Sequence, residues 1–505
     1  MPGSGLKQRP PTPEGPYLVV GLARSGAAVA RLLAEREESV IGVDSARPDE
    51  AERLASTGVE VHLDASGIEL LDAVSTVVKS PGVPQEAPVI SAARTRELPV
   101  VGELEVAWRA LSNRFIAVTG TNGKTTVTEL LGHIYRTAGE PVAVAGNIGS
   151  PVSDLIGQVD PAATVVCECS SFQLEDTEAF APECGVFLNI AEDHLDRHGT
   201  MERYLAAKLR MFENQTAGDI AVLCDDDAYA AAHWDHEDGA EFHEVDWEPE
   251  DGADAVAAAD EAAWGRGSTL VTYCSAGGAD ACDMTYRDGG LSWRGEPLLD
   301  AAELSIVGRH NVDNAMAAAA AALAMGVDIE GVREGLKSFP GVPHRLERVD
   351  EVNGVAYIND SKATNPAAAA AAIRSFDPPV RVIVGGSSKG GQFTELVEAV
   401  KERGASCYLI GDAAEQIDAE LRAGELSEQR SQGTGDAETA SDQVTITREP
   451  GLEHAVRAAT ADASPGDVVL LAPACASFDA YPDFEARGEH FRLLVAAQAD
   501  AARSQ

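Results

Sequence analysis

The sequence predicts an α/β protein built as three consecutive domains, and three observations predict it. Strand-like apolar runs alternate with helical ones along nearly the whole chain, the pattern of parallel sheets covered by helices. The chain has 505 residues, too many for one ordinary core, and its 45% apolar content can supply a core to each of several domains. Glycine-rich turns follow two of the strands, at Gly21–Gly26 and Gly120–Gly123, where open α/β sheets place their ligands.

The first domain is expected over residues 1–112. Residues 1–16 are rich in Pro and Gly and lack the apolar core of a secretory signal, so a flexible tail is predicted there. Tyr17–Val20, Ser39–Val43 and Ser75–Val78 predict strands, and Ala27–Arg36 the first intervening helix, which gives a Rossmann-like sheet. Gly21-Leu22-Ala23-Arg24-Ser25-Gly26 closes the first strand and Asp44 the second. Ala23 replaces the middle glycine of a dinucleotide fingerprint. On these residues alone a nucleotide-type ligand and a merely tight turn both stay open.

The central domain is expected over residues 113–340. Phe115–Val118 runs into Thr119-Gly120-Thr121-Asn122-Gly123-Lys124-Thr125-Thr126, and a helix is predicted from Val127 to about Thr137. Strand, glycine turn, Lys-Thr and helix in that order form a phosphate loop. Backbone N–H groups and the helix N-terminus cradle phosphate oxygens, Lys124 reaches the β- and γ-phosphates, and Thr125 sits on Mg²⁺. Val118 stands where the general pattern has its first glycine, so the loop is a shortened variant, and it predicts binding of ATP or GTP. Further strands are predicted at Thr164–Glu168 and Gly185–Ile190. Their polar ends place Glu168 and Asn189–His194 at the ligand crevice. The alanine-rich Ala315–Met325 reads as a buried helix, too short for a membrane span.

The third domain is expected over residues 341–505 as a second Rossmann-like sheet. Strands Val355–Ile358, Val380–Val384, Ser406–Ile410 and Val468–Leu471 alternate with helices Ala367–Arg374, Phe393–Glu402 and Leu452–Thr460. Gly424–Asp442, rich in Gly, Ser, Gln and Glu, is expected to be disordered.

Charge narrows the function classes. The net charge of −43 arises from 82 acidic against 39 basic residues, and nucleic-acid phosphates would be repelled. Residues 235–264 hold twelve Asp and Glu with no Lys or Arg and read as a peripheral excursion; the rest of the excess is spread along the chain. Such a surface suits a salt-rich, halophilic cytoplasm, where repulsion is screened over a few ångströms. The eight cysteines include no CxxC pair and read as packing residues; Cys167 and Cys169 alternate on one strand face. A cytoplasmic monomer without nucleic-acid or membrane partners is expected.

Read with the phosphate loop, a series of stretches resembles the Mur ligases of peptidoglycan synthesis. They are Glu168-Cys-Ser-Ser-Phe-Gln-Leu-Glu175, Glu192-Asp-His-Leu-Asp-Arg197, Tyr204-Leu-Ala-Ala-Lys208 and Gly308-Arg-His-Asn-Val-Asp-Asn-Ala315. Pro343-His-Arg345, Asn359-Asp-Ser-Lys-Ala-Thr-Asn365, Gly385-Gly-Ser-Ser-Lys-Gly390 and Ala472-Pro-Ala-Cys-Ala-Ser-Phe-Asp479 follow, with Phe484 and Arg487-Gly488 beyond. Asn359–Asn365 with Ala472–Asp479 narrows the resemblance to the member that adds D-glutamate. Ala472 stands where that family often has serine, and Ser387-Ser388 where an acidic residue often precedes the lysine.

The resemblance implies an ATP-dependent amide ligase that phosphorylates the carboxylate of UDP-N-acetylmuramoyl-L-alanine and lets the amine of D-glutamate attack the acyl phosphate. It implies an ATP site at Gly120, Thr121, Asn122, Gly123, Lys124, Thr125 and Thr126, with Asn311 and Asn314 near the adenine, Arg345 at phosphate and Asp360 at ribose. Without it, the two asparagines read equally as helix caps, and Arg345 with Asp360 as an ion pair. Thr125, Glu168, His194 and Lys208 would hold Mg²⁺, Lys208 as a carbamate; by its local sequence alone Lys208 is an ordinary helical lysine. Lys124, Glu168, His194 and Lys208 would form the catalytic set. Ser25, Asp44, Ser45, Ser80 and Asn147 would bind the UDP-sugar, and Thr364, Lys389, Ser477 and Phe484 the D-glutamate. Lys389 alone would pass for a solvated loop lysine.

Three other readings compete. Another amide ligase of the superfamily, with a different amino acid or acceptor, fits the shared motifs but not Asn359–Asn365 with Ala472–Asp479. An NAD-linked oxidoreductase, suggested by Gly21–Gly26, leaves the phosphate loop unexplained. A non-catalytic nucleotide-binding regulator leaves Lys124, Glu168, His194 and Lys208 unexplained.

Overall fold

The computed structural model describes residues 7–191, 193–225, 268–274, 282–306, 308–377, 379–387, 392–431 and 445–503. The acidic stretch 235–264 and Lys389 lie outside them. The chain forms two compact units, one of residues 1–305 and 310–339, the other of 306–309 and 340–505.

The first unit holds two sheets. Strands β1 (Tyr17–Val20), β2 (Val40–Asp44), β3 (Glu60–Leu63), β4 (Thr76–Lys79) and β5 (Val100–Gly102) are parallel in the order β3-β2-β1-β4-β5. That order carries a topological switch point between β1 and β4, and a crevice opens there at the carboxyl ends. The first helix, Arg24–Glu35, begins earlier than the sequence suggests, directly after Ala23. Gly26 makes this possible: a Cβ there would collide with the Gly21 carbonyl and the Ser80 hydroxyl, so only glycine lets helix and strand approach so closely.

The second sheet comprises β6 (Phe115–Thr119), β7 (Val142–Gly146), β8 (Thr164–Glu168), β9 (Cys184–Phe187) and β10 (Ile220–Cys224). It continues with β11 (Thr269–Cys274), β12 (Met284–Arg287), β13 (Gly290–Trp293) and β14 (Glu296–Asp300). The order is β14-β13-β12-β11-β10-β9-β6-β8-β7, parallel except for β12-β13-β14. All five residues of β6 are buried, and its neighbours β8 and β9 bring their carboxyl ends beside its own. The predicted strand Gly185–Ile190 ends at Phe187, because Leu188–Ile190 bend across the phosphate loop instead. The helix Lys124–Thr137 behind that loop is buttressed by helix Ile329–Ser338. Added Cβ atoms at Gly331 and Gly335 would strike Ala138 and Ile134, so these glycines set the close helix crossing. The alanine-rich segment lies in helix Arg309–Ala324, with Ala315–Ala322 fully buried.

Residues 7–16, predicted as part of a flexible tail, are instead anchored. Lys7 Nζ pairs with Asp219 Oδ2 at 2.6 Å and bonds the Ala181 carbonyl at 3.0 Å. The Arg9 guanidinium lies 4.7 Å from the Trp108 ring and 5.0 Å from that of Phe115, and donates to the carbonyls of Trp108, Leu111 and Asn113. Those carbonyls belong to the crossing from helix Glu103–Ala110 into β6, so the start of the chain fastens the joint between the two sheets.

The second unit has strands β15 (Glu347–Val352), β16 (Val355–Asn359), β17 (Val380–Gly385), β18 (Ser406–Ile410), β19 (Ile446–Arg448) and β20 (Val468–Leu471). Their order is β15-β16-β20-β17-β18-β19, with only β15 antiparallel. Helix Ala414–Ser431 runs into the stretch expected to be disordered, whose residues 432–442 lie outside those described. All eight cysteines are free; Cys167 and Cys169 share one buried face with sulfurs 3.6 Å apart. Among the described residues no helix is long and apolar enough to cross a membrane.

Candidate active site

The phosphate loop takes its shape from two glycines with left-handed backbone, Gly120 at φ +144° and Gly123 at φ +84°. A Cβ on Gly120 would press on Leu188 and Asn189, and one on Gly123 would overlap Asn314 Oδ1. The loop is also clasped from outside. Thr121 N donates to Asn189 O at 3.0 Å, Asn122 N to Asn189 Oδ1 at 2.9 Å, and Asn189 Nδ2 returns to Asn122 O at 3.2 Å. Thr125 and Thr126 open the helix and are buried.

Two lysines converge on one carbonyl. Lys124 Nζ donates to Gly120 O at 2.9 Å and Thr121 O at 2.7 Å, and Lys208 Nζ donates to the same Gly120 O at 2.7 Å. Lys208 is 1% exposed, and its Nζ lies 4.4 Å from the centre of the Tyr204 ring. Burial, then the neighbouring Lys124 charge, push its pKa down to about 6 from the ordinary 10.5. It is therefore a largely neutral amine at pH 7.

Glu168, at the end of β8, is buried. Its Oε1 accepts from Asn147 Nδ2 at 2.9 Å, while Oε2 is buried with no hydrogen-bond partner. A buried carboxylate oxygen without a donor carries a large desolvation cost unless a cation meets it, so the residue fits a hard metal ion. No cluster of three His, Cys, Asp or Glu side chains suited to a metal occurs among the described residues, so such an ion would also need hydroxyl, water or phosphate ligands. His194 is half-exposed at the start of the short helix Leu195–His198, with φ +54°. Its ring lies 4.9 Å from that of Phe172 and 6.4 Å from that of Tyr204, the ring that Lys208 Nζ also approaches.

Asn311 and Asn314 are buried and bonded to each other at 3.0 Å, and Asn314 backs the loop at Gly123.

A cavity of about 670 Å³ opens at the carboxyl ends of the first sheet, and Ser25, Asp44, Ser45, Ser80 and Asn147 all line it. Asp44 is held by the backbone N–H groups of Leu22 at 2.7 Å and Ala46 at 2.8 Å. Asn147 comes from the second sheet and also binds Glu168, so one residue touches both the cavity and the phosphate end.

In the second unit the loops after β16, β17 and β20 meet at adjacent carboxyl ends. Asp360 is buried and receives Leu346 N at 3.2 Å; burial pushes its pKa up to about 6, against the nearby Arg345 charge that opposes the rise. Thr364 is half-buried, Ser477 is buried, and Phe484 opens helix Phe484–Arg503. Arg487, whose Arg-Gly pair is part of the motif series, has a role that the sequence does not reveal. Its guanidinium is fully buried and bonds Ser361 Oγ at 3.0 Å, Ser361 O at 2.9 Å and Cys475 O at 3.1 Å. It thereby ties the Thr364 loop to the Ser477 loop. Gln173, Arg197 and His198 were likewise not singled out; Gln173 lines the cavity, and His198 bridges Ser171 Oγ at 2.9 Å and Glu175 Oε1 at 3.0 Å.

Known proteins share this succession of domains. Family models match in succession a MurD-like N-terminal domain of the Mur ligases over residues 16–102, the Mur ligase middle domain over 118–322 and the Mur ligase glutamate ligase domain over 344–475. The UDP-N-acetylmuramoylalanine–D-glutamate ligase of Pelotomaculum thermopropionicum is 40% identical, over 95% of this chain and 96% of that protein. The enzyme of the same name from Salinibacter ruber is 40% identical, over 94% of this chain and 96% of its own. Among solved structures, the UDP-N-acetylmuramate–alanine ligase of Thermotoga maritima shares the fold at 17% identity, with a TM-score of 0.55 over 96% of this chain and all of that one. The MurF ligase of Thermotoga maritima, solved in complex with ADP, does so with a TM-score of 0.52 at 17% identity, over 97% of this chain and 96% of its own. With three successive domain models and such relatives along nearly its whole length, the chain belongs to the Mur ligase family.

Proposed function

We propose that this protein joins D-glutamate to UDP-N-acetylmuramoyl-L-alanine at the expense of ATP, through an acyl phosphate, releasing ADP and phosphate in peptidoglycan precursor synthesis. A carboxylate is a poor acyl donor, and phosphorylation supplies the leaving group. The protein's part is to position the reactants and balance oxyanion charge. The observation that carries the reading is the bond from Asn147, on the wall of a 670 Å³ cavity, to Glu168, whose strand pairs with the one leading into the phosphate loop where Lys124 and Lys208 meet at Gly120 O. It stands beside 40% identity, over 95% of the chain, to a ligase named for that reaction.

Within the reading, Ser25, Asp44, Ser45, Ser80 and Asn147 hold the UDP-sugar, and Gly120–Thr126 hold the ATP phosphates. Asn311 and Asn314 serve the adenine, Arg345 a phosphate and Asp360 the ribose. Thr364, Lys389, Ser477 and Phe484 receive D-glutamate. Mg²⁺ held by Thr125 and Glu168, with a second site at His194 and Lys208, would neutralise phosphate charge. A neutral, buried Lys208 amine is the form that reacts with carbon dioxide, and the resulting carbamate would suit a metal. The protein acts as a cytoplasmic monomer, and its acidic surface is adapted to high salt.

The test is phosphate release with Mg·ATP and UDP-N-acetylmuramoyl-L-alanine, with and without D-glutamate, at low and at molar KCl. Release that needs both substrates and fails with L-glutamate, lysine or diaminopimelate supports the reading. Turnover with another amino acid instead would point to a different amide ligase of the family, and no turnover with any would sink both.

A further inference from the structure

The Ser80–Pro84 segment forms one wall of the cavity, and cations pin it from two sides. Lys79 Nζ, buried against Asp176 at 2.7 Å, donates to Val83 O at 2.9 Å. Arg197 reaches the same carbonyl from the second sheet: its Nη2 donates to Val83 O at 2.7 Å and Pro81 O at 3.2 Å. The Arg197 guanidinium also covers the Phe172 ring at 4.7 Å. Among the described residues it has no carboxylate partner; its polar contacts are carbonyls of the cavity wall.

The other end of Arg197 is as informative. It lies three residues after His194, on the short helix that His194 begins, while Phe172 lies four residues after Glu168. One side chain thus joins the cavity wall, the His194 turn and the segment leaving Glu168. The backing is rigid. Gln85 Nε2, from the first sheet, bonds Asp176 Oδ1 at 2.9 Å and Glu175 Oε2 at 3.1 Å, and Glu175 holds His198. The His198 ring stacks on Phe172 at 5.2 Å and lies 5.1 Å from Tyr204, whose hydroxyl is 3.2 Å from Thr121 Oγ1 in the phosphate loop.

We propose that Arg197 is a positioning residue that sets the Ser80–Pro84 wall against the His194 turn, so that the sugar nucleotide is seated in register with the phosphate loop. This rests on the ligase reading. Lysine is a poor replacement, because an ammonium has no plane to lie on Phe172 while two nitrogens reach the carbonyls of Pro81, Gly82 and Val83. A bland alternative is a joint that only adds stability. Its loss would lower stability without sorting the substrates.

The experiment compares full-length wild type, Arg197→Ala and Arg197→Lys by steady-state kinetics and by amide hydrogen exchange. Loss of the charge-assisted bonds should raise KM for UDP-N-acetylmuramoyl-L-alanine about tenfold in Arg197→Ala. KM for ATP should stay within about twofold, and Arg197→Lys should recover little. Exchange should quicken at residues 82–83 and 194–198 while the rest of the first unit keeps wild-type rates. An unchanged sugar-nucleotide KM, an equal rise in both KM values, or recovery by lysine would overturn the proposal. If the wild type shows no D-glutamate-dependent turnover, the ligase reading fails on its own. Exchange then decides Arg197: quickening confined to the two segments upholds the positioning role, and unchanged or uniformly raised exchange overturns it.

Discussion

Lys208 shows how burial changes what a residue is. On its helix it is four residues from Tyr204 and reads as an ordinary surface lysine. The fold instead brings it to 1% exposure beside Lys124, and it titrates near 6. Because its folded pKa lies below the ordinary 10.5, the unfolded chain binds the extra proton between about pH 6 and 10.5. Stability should therefore rise with pH through that window, with a slope of at most about 1.4 kcal/mol per pH unit from this group. Denaturant titrations in bicarbonate-free, metal-free buffer should show the slope in wild type and its loss in Lys208→Met. A second expectation concerns Glu168. Glu168→Gln keeps the shape and removes the charge that meets a cation, so kcat should fall at least about a hundredfold. Phosphate release measures it, and near-normal turnover would remove Glu168 from the catalytic set. Asp44 is legible as the residue that closes a predicted strand, whereas Ser80 and Asn147 are named only through the family resemblance. Arg487 could not be given a role, since its partners Ser361 and Cys475 are distant in sequence and local pattern carries no trace of them.

Elements were legible where burial is continuous. Thr164–Glu168, Ser406–Ile410 and Val468–Leu471 stand where the apolar runs place them, because strands covered on both faces read as unbroken apolar stretches. β15, with the sequence Glu-Arg-Val-Asp-Glu-Val, and the half-exposed β3 at the sheet edge give no such signal and were missed. Helices begin earlier than periodicity indicates at Arg24 and Lys124, because glycine turns deliver the chain into helical geometry at once. The phosphate-loop turn carries its own prediction. Gly123→Ala places a Cβ at φ +84° and against Asn314, so it should cost about 1–3 kcal/mol. ATP affinity should fall with it; calorimetry on the folded variant checks the binding, and thermal unfolding the stability.

At the scale of the whole molecule, charge and the anchored N-terminal segment matter most. A net charge of −43 repels itself in dilute buffer, and molar KCl screens that repulsion to a few ångströms. The unfolding midpoint should rise steadily with KCl, and a flat response would remove the case for salt adaptation. Deleting residues 1–10 removes the Arg9 clamp and the Lys7–Asp219 pair. The first unit should lose about 2–4 kcal/mol, while the second unit unfolds as before; differential scanning calorimetry distinguishes the two transitions.

That clamp also bears on how the protein is made. Lys7 leaves the ribosome well before its partner Asp219, which is 212 residues behind it. Arg9 can meet Trp108 and Asn113 as soon as the first sheet is complete, whereas Lys7 must wait through the synthesis of much of the second sheet for Asp219. Closure of the Lys7–Asp219 pair is a late event that reports completion of the joint, and a bulky tag fused before Lys7 would meet its hindrance at that last step.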